Sequence, residues 1–168
     1  MRRDVSGDVN TRLFNEQSSD MSWMFNEQSR NISYDVFIKK EMLNEVKEQG
    51  VIIDSDDFDK ECAKIIVDEV DFDKVEKIVG DDYEITAYNY CFHSLESFNL
   101  EMLKNKIAFA NQKLGLVIDL AATIDDLEGI LPSLDDHENL ALVNDIGIAL
   151  EVYHNIIIEG SCYFTIEC

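Results

Sequence analysis

The sequence predicts an α+β fold: a mostly helical single domain with a small antiparallel sheet. Three observations point there. Apolar residues recur at three- and four-residue spacing between glycines, the signature of amphipathic helices. One stretch, residues 83–92, is aromatic and β-prone. The 168 residues are 46% apolar with sixteen aromatics, enough for one core and unlike an acidic disordered chain.

Residues 1–34 read as a near-neutral N-terminal arm or docking segment, with four arginines against five acids. Residues 35–168 read as an acidic α+β domain, with 10 lysines against 30 acids. Within the arm, Phe14-Asn15-Glu16-Gln17-Ser18 returns as Phe25-Asn26-Glu27-Gln28-Ser29. The offset of 11 residues is close to three helical turns, so one continuous helix would place both phenylalanines on one face. Phe14, Met21, Trp23, Met24 and Phe25 are the candidate docking residues, for a partner or a sister subunit in a homodimer. Packing of the arm against its own domain is the alternative.

From Tyr34 the apolar spacing of Val36, Phe37, Met42, Leu43 and Val46 predicts a helix ending at Gly50. Val51-Ile52-Ile53 follows as a short extended connection. Asp54 or Ser55 is placed to cap a helix to about Glu69 that buries Phe58, Cys62, Ile65 and Ile66. Asp-Phe-Asp-Lys occurs at 57–60 and again at 71–74. The second copy opens a short helix with Phe72, Val75, Ile78 and Val79 inward, closed by Gly80. After the strand at 83–92, helices are expected over about Leu95–Leu114, ending at Gly115, and over Leu116–Leu127. Gly129 and Pro132 mark a loop. Asp135 or Asp136 caps a last helix through Leu140, Val143, Ile146 and Leu150. Residues 152–158 either prolong it or pair as a strand with 162–166.

Catalytic and metal signatures are lacking. The acids around Asp56-Asp57 and Asp71-Asp73 miss the alternating oxygen ligands, glycine and twelfth-position glutamate of an EF-hand. Cys91-x-His93, joined by Cys162 or Cys168, has zinc-binding chemistry without a Cys-x-x-Cys or His-Glu-x-x-His spacing. Glu45-Val46-Lys47 has the letters of a nuclease Glu-x-Lys but sits in a helical pattern. No nucleophile elbow or glycine-rich phosphate loop is present. Neither a catalytic residue, a metal nor a cofactor is expected, and the protein is expected not to be an enzyme.

Met1-Arg2-Arg3 runs into polar residues, so a secretory signal is not expected, and no unbroken apolar run approaches membrane-spanning length. The four cysteines, Cys62, Cys91, Cys162 and Cys168, lack a disulfide-framework spacing and suit a reducing cytoplasm. The acidity would repel both an anionic membrane and nucleic acid itself.

The charge is the strongest functional signal. The formal net charge is −21, beyond the roughly 2–8 that solubility asks of a small domain. Residues 41–84 hold sixteen acids and five lysines, whereas residues 114–168 hold eleven acids and no lysine or arginine. Acids at helical spacing stand about 5–6 Å apart, on the scale of phosphate spacing in nucleic acid. The candidate partner-binding residues in the first cluster are Asp54, Asp56, Asp57, Asp59, Asp68, Glu69, Asp71, Asp73, Asp81 and Asp82. In the second they are Asp119, Asp125, Asp126, Glu128, Asp135, Asp136 and Glu138. The partner they imply is a basic protein, a nucleic-acid-binding enzyme or complex.

In overall character, by size, acidity and the acid-only stretch Leu114–Cys168, the chain resembles the phage- and plasmid-encoded DNA-mimic inhibitors, the antirestriction and anti-CRISPR proteins. That resemblance implies a cytoplasmic, non-catalytic inhibitor of a host defence nuclease, often dimeric, and assigns no residue a role. An immunity protein or antitoxin neutralising a basic toxin would use the same physics. A small enzyme with a dispersed site and a structural phage component are further alternatives.

Overall fold

The computed structural model describes residues 3–5, 21–54 and 61–167. In chain order they form β1 (Arg3–Val5), β2 (Ile32–Lys39), α1 (Leu43–Val46), β3 (Ile52–Asp54), β4 (Cys62–Asp68) and α2 (Phe72–Val79). Then come β5 (Tyr83–Phe92), α3 (Leu100–Leu114), α4 (Ile124–Ile130), α5 (His137–Glu159) and β6 (Cys162–Glu167), with short 3-10 turns between elements. The fold is α+β. Its strands join one sheet in the order β1-β6-β5-β2-β4-β3, larger than the sequence suggests. β2 pairs antiparallel with β4 and β5, and β3 pairs antiparallel with β4.

Two segments expected as helices are strands. In β2, Ile32, Val36 and Ile38 are buried while Ser33, Asp35 and Phe37 alternate with them. In β4, Ala63, Ile65 and Val67 are buried and Cys62, Lys64 and Ile66 are not. Both runs are rich in β-branched residues, and their period is two. The expected cap at Asp54 or Ser55 is therefore replaced at Asp54 by the end of β3, and Ser55 and Phe58 lie outside the described residues.

The described chain divides into two compact units, 31–90 with 165–168, and 1–30 with 91–164. It passes between them just before β2, at 30/31, and again within β5 and within β6. The boundary expected at residue 34 falls inside β2.

In the sheet unit, α1 and α2 bury Val46, Val75 and Val79 against Val36, Ile38, Ile65 and Val67. Phe72 lies edge-on to Tyr34 and Tyr83, with ring centroids 5.1 and 5.5 Å apart. As expected, α2 starts at the second Asp-Phe-Asp-Lys and ends at Gly80. The first copy lies largely outside the described residues.

In the helical unit, α3 and α4 pack against α5. Asn99 caps α3, and Gly115 and Gly160 end α3 and α5 in the left-handed region at φ +67° and +83°. A side chain there would meet its own backbone, which is why glycine closes both helices. Residues 116–123 form a loop rather than the expected helix, and α4 runs through Gly129. α5 continues to Glu159, so residues 152–158 are helix and β6 has no hairpin partner in them. α5 is long enough, and apolar enough on average, to span a membrane. Ten of its residues are buried, and Asn139, Asn144, Asp145, Glu151 and Asn155 interrupt its apolar sequence. It is built as a core helix.

The described end of the expected arm belongs to this core. Met21 and Met24 are fully buried and Phe25 nearly so, while Trp23 is half-buried beneath the Lys106 ammonium, 4.8 Å from the ring centroid. Phe25 bridges Phe98, and the Asn26 side chain donates to the Glu96 and Phe98 carbonyls. The second Phe-Asn-Glu-Gln-Ser copy is thus a bridge and a 3-10 turn, not part of a continuous helix. Burial removes Met21, Met24 and Phe25 from the docking role expected of them. Phe14 lies outside the described residues.

Candidate interaction surface

The acids singled out by charge fall into both units, and many have local structural work. In the sheet unit, Lys64 sits 3.6 Å from Asp35 and 3.7 Å from Asp54. Glu69 accepts the Tyr34 hydroxyl at 3.0 Å. Asp71 lies 3.5 Å from Lys74, and Asp82 lies 3.5 Å from Lys39. Asp68, Asp73 and Asp81 are exposed, while Asp56, Asp57 and Asp59 lie outside the described residues. The Glu76 carboxylate accepts the Tyr83 hydroxyl at 2.6 Å and raises the Tyr83 pKa above the usual phenol range.

In the helical unit the acids gather at helix starts. Asp126 and Thr123 form a reciprocal capping box on α4. Asp136 caps α5, accepting the Glu138 N–H at 2.9 Å. Asp119 accepts the Ala121 N–H at 2.9 Å and shapes the turn before α4. Asp125 and Glu138 occupy first turns, where the helix dipole favours carboxylates. Asp119, Asp125, Asp126, Asp135, Asp136 and Glu138 are all exposed, and Glu128 is half-buried.

The capping acids and the merely exposed acids separate in a stability measurement. Asp136→Ala is expected to cost about 1 kcal/mol, because the Glu138 N–H in the first turn of α5 loses its side-chain acceptor. Glu138→Gln is expected to stay within about 0.5 kcal/mol of wild type. Thermal melts of the two variants check this ordering.

The sheet unit also holds a polar ladder that sequence reasoning missed. The Thr165 hydroxyl donates to Asn89 Oδ1 at 2.8 Å, and Asn89 Nδ2 donates to Asp35 Oδ1 at 2.8 Å and to Ser33 Oγ at 3.3 Å. Asp35 continues it through Lys64 to Asp54, so the connections cross β6, β5, β2, β4 and β3. Asn89 is 2% exposed, and both the nitrogen and the oxygen of its amide have partners. The signal was the alternation of Ser33 and Asp35 with Ile32, Tyr34 and Val36, legible once that run is read as a strand.

Of the sulfur groups, Cys162 is buried, and burial pushes its thiol pKa up to about 12, with Cys91 and Glu151 adding to the rise. It is a neutral thiol at physiological pH and a poor nucleophile. Among the described residues, no three His, Cys, Asp or Glu side chains converge as metal ligands.

These features define a class: an α+β protein in which residues 114–164 of the helical unit carry carboxylates and no lysine or arginine. Comparison with protein-family models, curated proteins and solved structures found no match.

Proposed function

We propose that this chain is a non-catalytic inhibitor that binds a basic nucleic-acid-binding surface of a host defence nuclease, in the manner of anti-CRISPR or antirestriction proteins. One observation carries the reading. Over Leu114–Glu167 the exposed charged side chains are all carboxylates, and those of Asp119, Asp125, Asp126, Asp135, Asp136 and Glu138 cluster around the starts of two helices. Ordinary surfaces intersperse both signs. A one-signed array on a folded scaffold attracts a cationic groove at long range and accelerates encounter. Its carboxylates meet the arginines and lysines that would otherwise hold phosphates.

The test uses Asp125→Asn, Asp135→Asn and Glu138→Gln together, exposed acids whose side chains do not cap a helix. Association with purified basic nucleases is followed at about 50 mM and about 300 mM salt, with duplex DNA as competitor. The triple variant is expected to associate about ten-fold more slowly at low salt, with the difference shrinking at high salt. DNA is expected to compete. Absence of wild-type binding to any basic nuclease at low salt would overturn the reading.

A further inference from the structure

Between α3 and α4 the loop 115–122 and the face of α4 line a cleft of about 430 Å³. Ile118 and Leu127, 6% and 0% exposed, form its base, and Leu116, Ala122 and Ile130 add apolar lining. Asp119 and Asp126 stand at its edge, both exposed. Val117 is 97% exposed on the same loop.

The cleft is preformed because its loop is tied down from three sides. The Asn111 amide acts as a substitute peptide group, donating to the Ile118 carbonyl and accepting the Ile118 N–H, both at 2.8 Å. His154 Nε2 lies 2.6 Å from the Leu120 carbonyl oxygen. The Thr123–Asp126 capping box fixes the other end. A loop already held in one conformation loses little entropy when a ligand enters.

Charge and shape together select the occupant. The volume lies in the range that encloses a small ligand or a pair of side chains, roughly 300–1,000 Å³. An anion is repelled by Asp119 and Asp126. A purely apolar ligand would strip water from those carboxylates without replacing it. Each of the two acids commits one oxygen to the local backbone, Asp119 to Ala121 and Asp126 to Thr123, and keeps a second for a ligand. An arginine satisfies both demands, its stem lying on the apolar lining and its guanidinium reaching the carboxylates. An apolar neighbour in the same segment fills the remaining volume and covers Val117.

We infer that this cleft seats a segment of the protein partner in which an arginine adjoins an apolar side chain. The inference rests on the acidic-inhibitor reading and locates a specific contact within it.

The probe is a labelled synthetic peptide of roughly eight residues alternating arginine and leucine, with an arginine–serine peptide as control, titrated into the intact chain at about 50 mM salt. Amide shifts are expected to concentrate in residues 115–130, and the arginine–serine peptide is expected to bind about ten-fold more weakly. Val117→Lys, at an exposed position that leaves the core untouched, is expected to weaken the arginine–leucine peptide about ten-fold. Val70→Lys, at an exposed position in the sheet unit, adds the same single charge and serves as the control, expected to change affinity less than about two-fold. Unchanged affinity in Val117→Lys, or shifts centred outside residues 115–130, overturns the cleft assignment. Equal binding of both peptides across the acidic surface sinks the cleft but leaves the inhibitor reading standing. Failure of every cationic peptide to bind sinks both.

Discussion

Phe92→Ala is expected to lower folding stability by about 3–5 kcal/mol, a large share of the roughly 5–15 kcal/mol that holds a small domain together. Phe92 is 1% exposed at the end of β5. Its ring stacks on Phe25 with centroids 4.2 Å apart and planes 13° from parallel, and lies 5.7 Å from Phe98. Phe98 in turn stacks on Tyr153 of α5 at 5.7 Å, so one truncation opens a cavity beneath the 3-10 turn, the strand end and α5 together. The measurement is urea unfolding, in which the midpoint should fall by about 2 M for a slope of about 2 kcal/mol/M. The double variant with Phe25→Ala should show about 0.5–1.5 kcal/mol of coupling. Additive losses would mean that residues 21–30 are not part of the cooperative core.

The second large effect is expected at Asn89→Leu, about 3 kcal/mol, although leucine matches asparagine in size. Asn89 accepts from Thr165 and donates to Asp35 and Ser33. Leucine leaves the Asp35 carboxylate without that donor and the nearly buried Thr165 hydroxyl without its acceptor. The damage comes from stranding those partners, not from the bonds counted singly. Lys64→Met should cost less, about 1–2 kcal/mol, because Lys64 is more exposed than Asn89, Asp35 keeps its Asn89 donor, and Asp54 is the more exposed of the two carboxylates. Urea midpoints for the two variants decide it. An equal or larger loss at Lys64 would mean that the ion pairs, and not the amide, anchor the ladder.

Helix ends were the most legible feature, because capping chemistry is local. Gly50, Gly80 and Gly115 close helical segments as the sequence indicates, and of the two candidate caps Asp135 and Asp136 it is Asp136 that starts α5. Strand β5 was legible in full, since aromatic and β-branched residues leave few alternatives. β2 and β4 were misread for a specific reason. Val36-Phe37 and Ile65-Ile66 place two apolar residues side by side, which satisfies a helical spacing and hides the alternation around them. A short apolar run does not by itself distinguish the two periods.

The candidate site divides along the same line. The one-signed charge of the last third is a property of composition, visible without coordinates. Which acids cap helices, which pair with lysines and which are merely exposed depends on backbone hydrogen bonds formed only in the fold. The repeat containing Phe25 shows the limit from the other side, because its amphipathic look fits a docking arm as well as an inward-packed turn.

The sequence by itself determined the α+β class, the strand at 83–92, the helix ends at Gly50, Gly80 and Gly115, and the absence of lysine and arginine after residue 113. These rest on local propensity, capping and composition. Tertiary structure decided that 32–39 and 62–68 are strands, that Met21, Met24 and Phe25 are core, that five strands carry a polar ladder, and that loop 115–122 frames a cleft. The physical reason is that each depends on partners distant in sequence. A ladder needs neighbouring strands, and a buried face needs something to bury it.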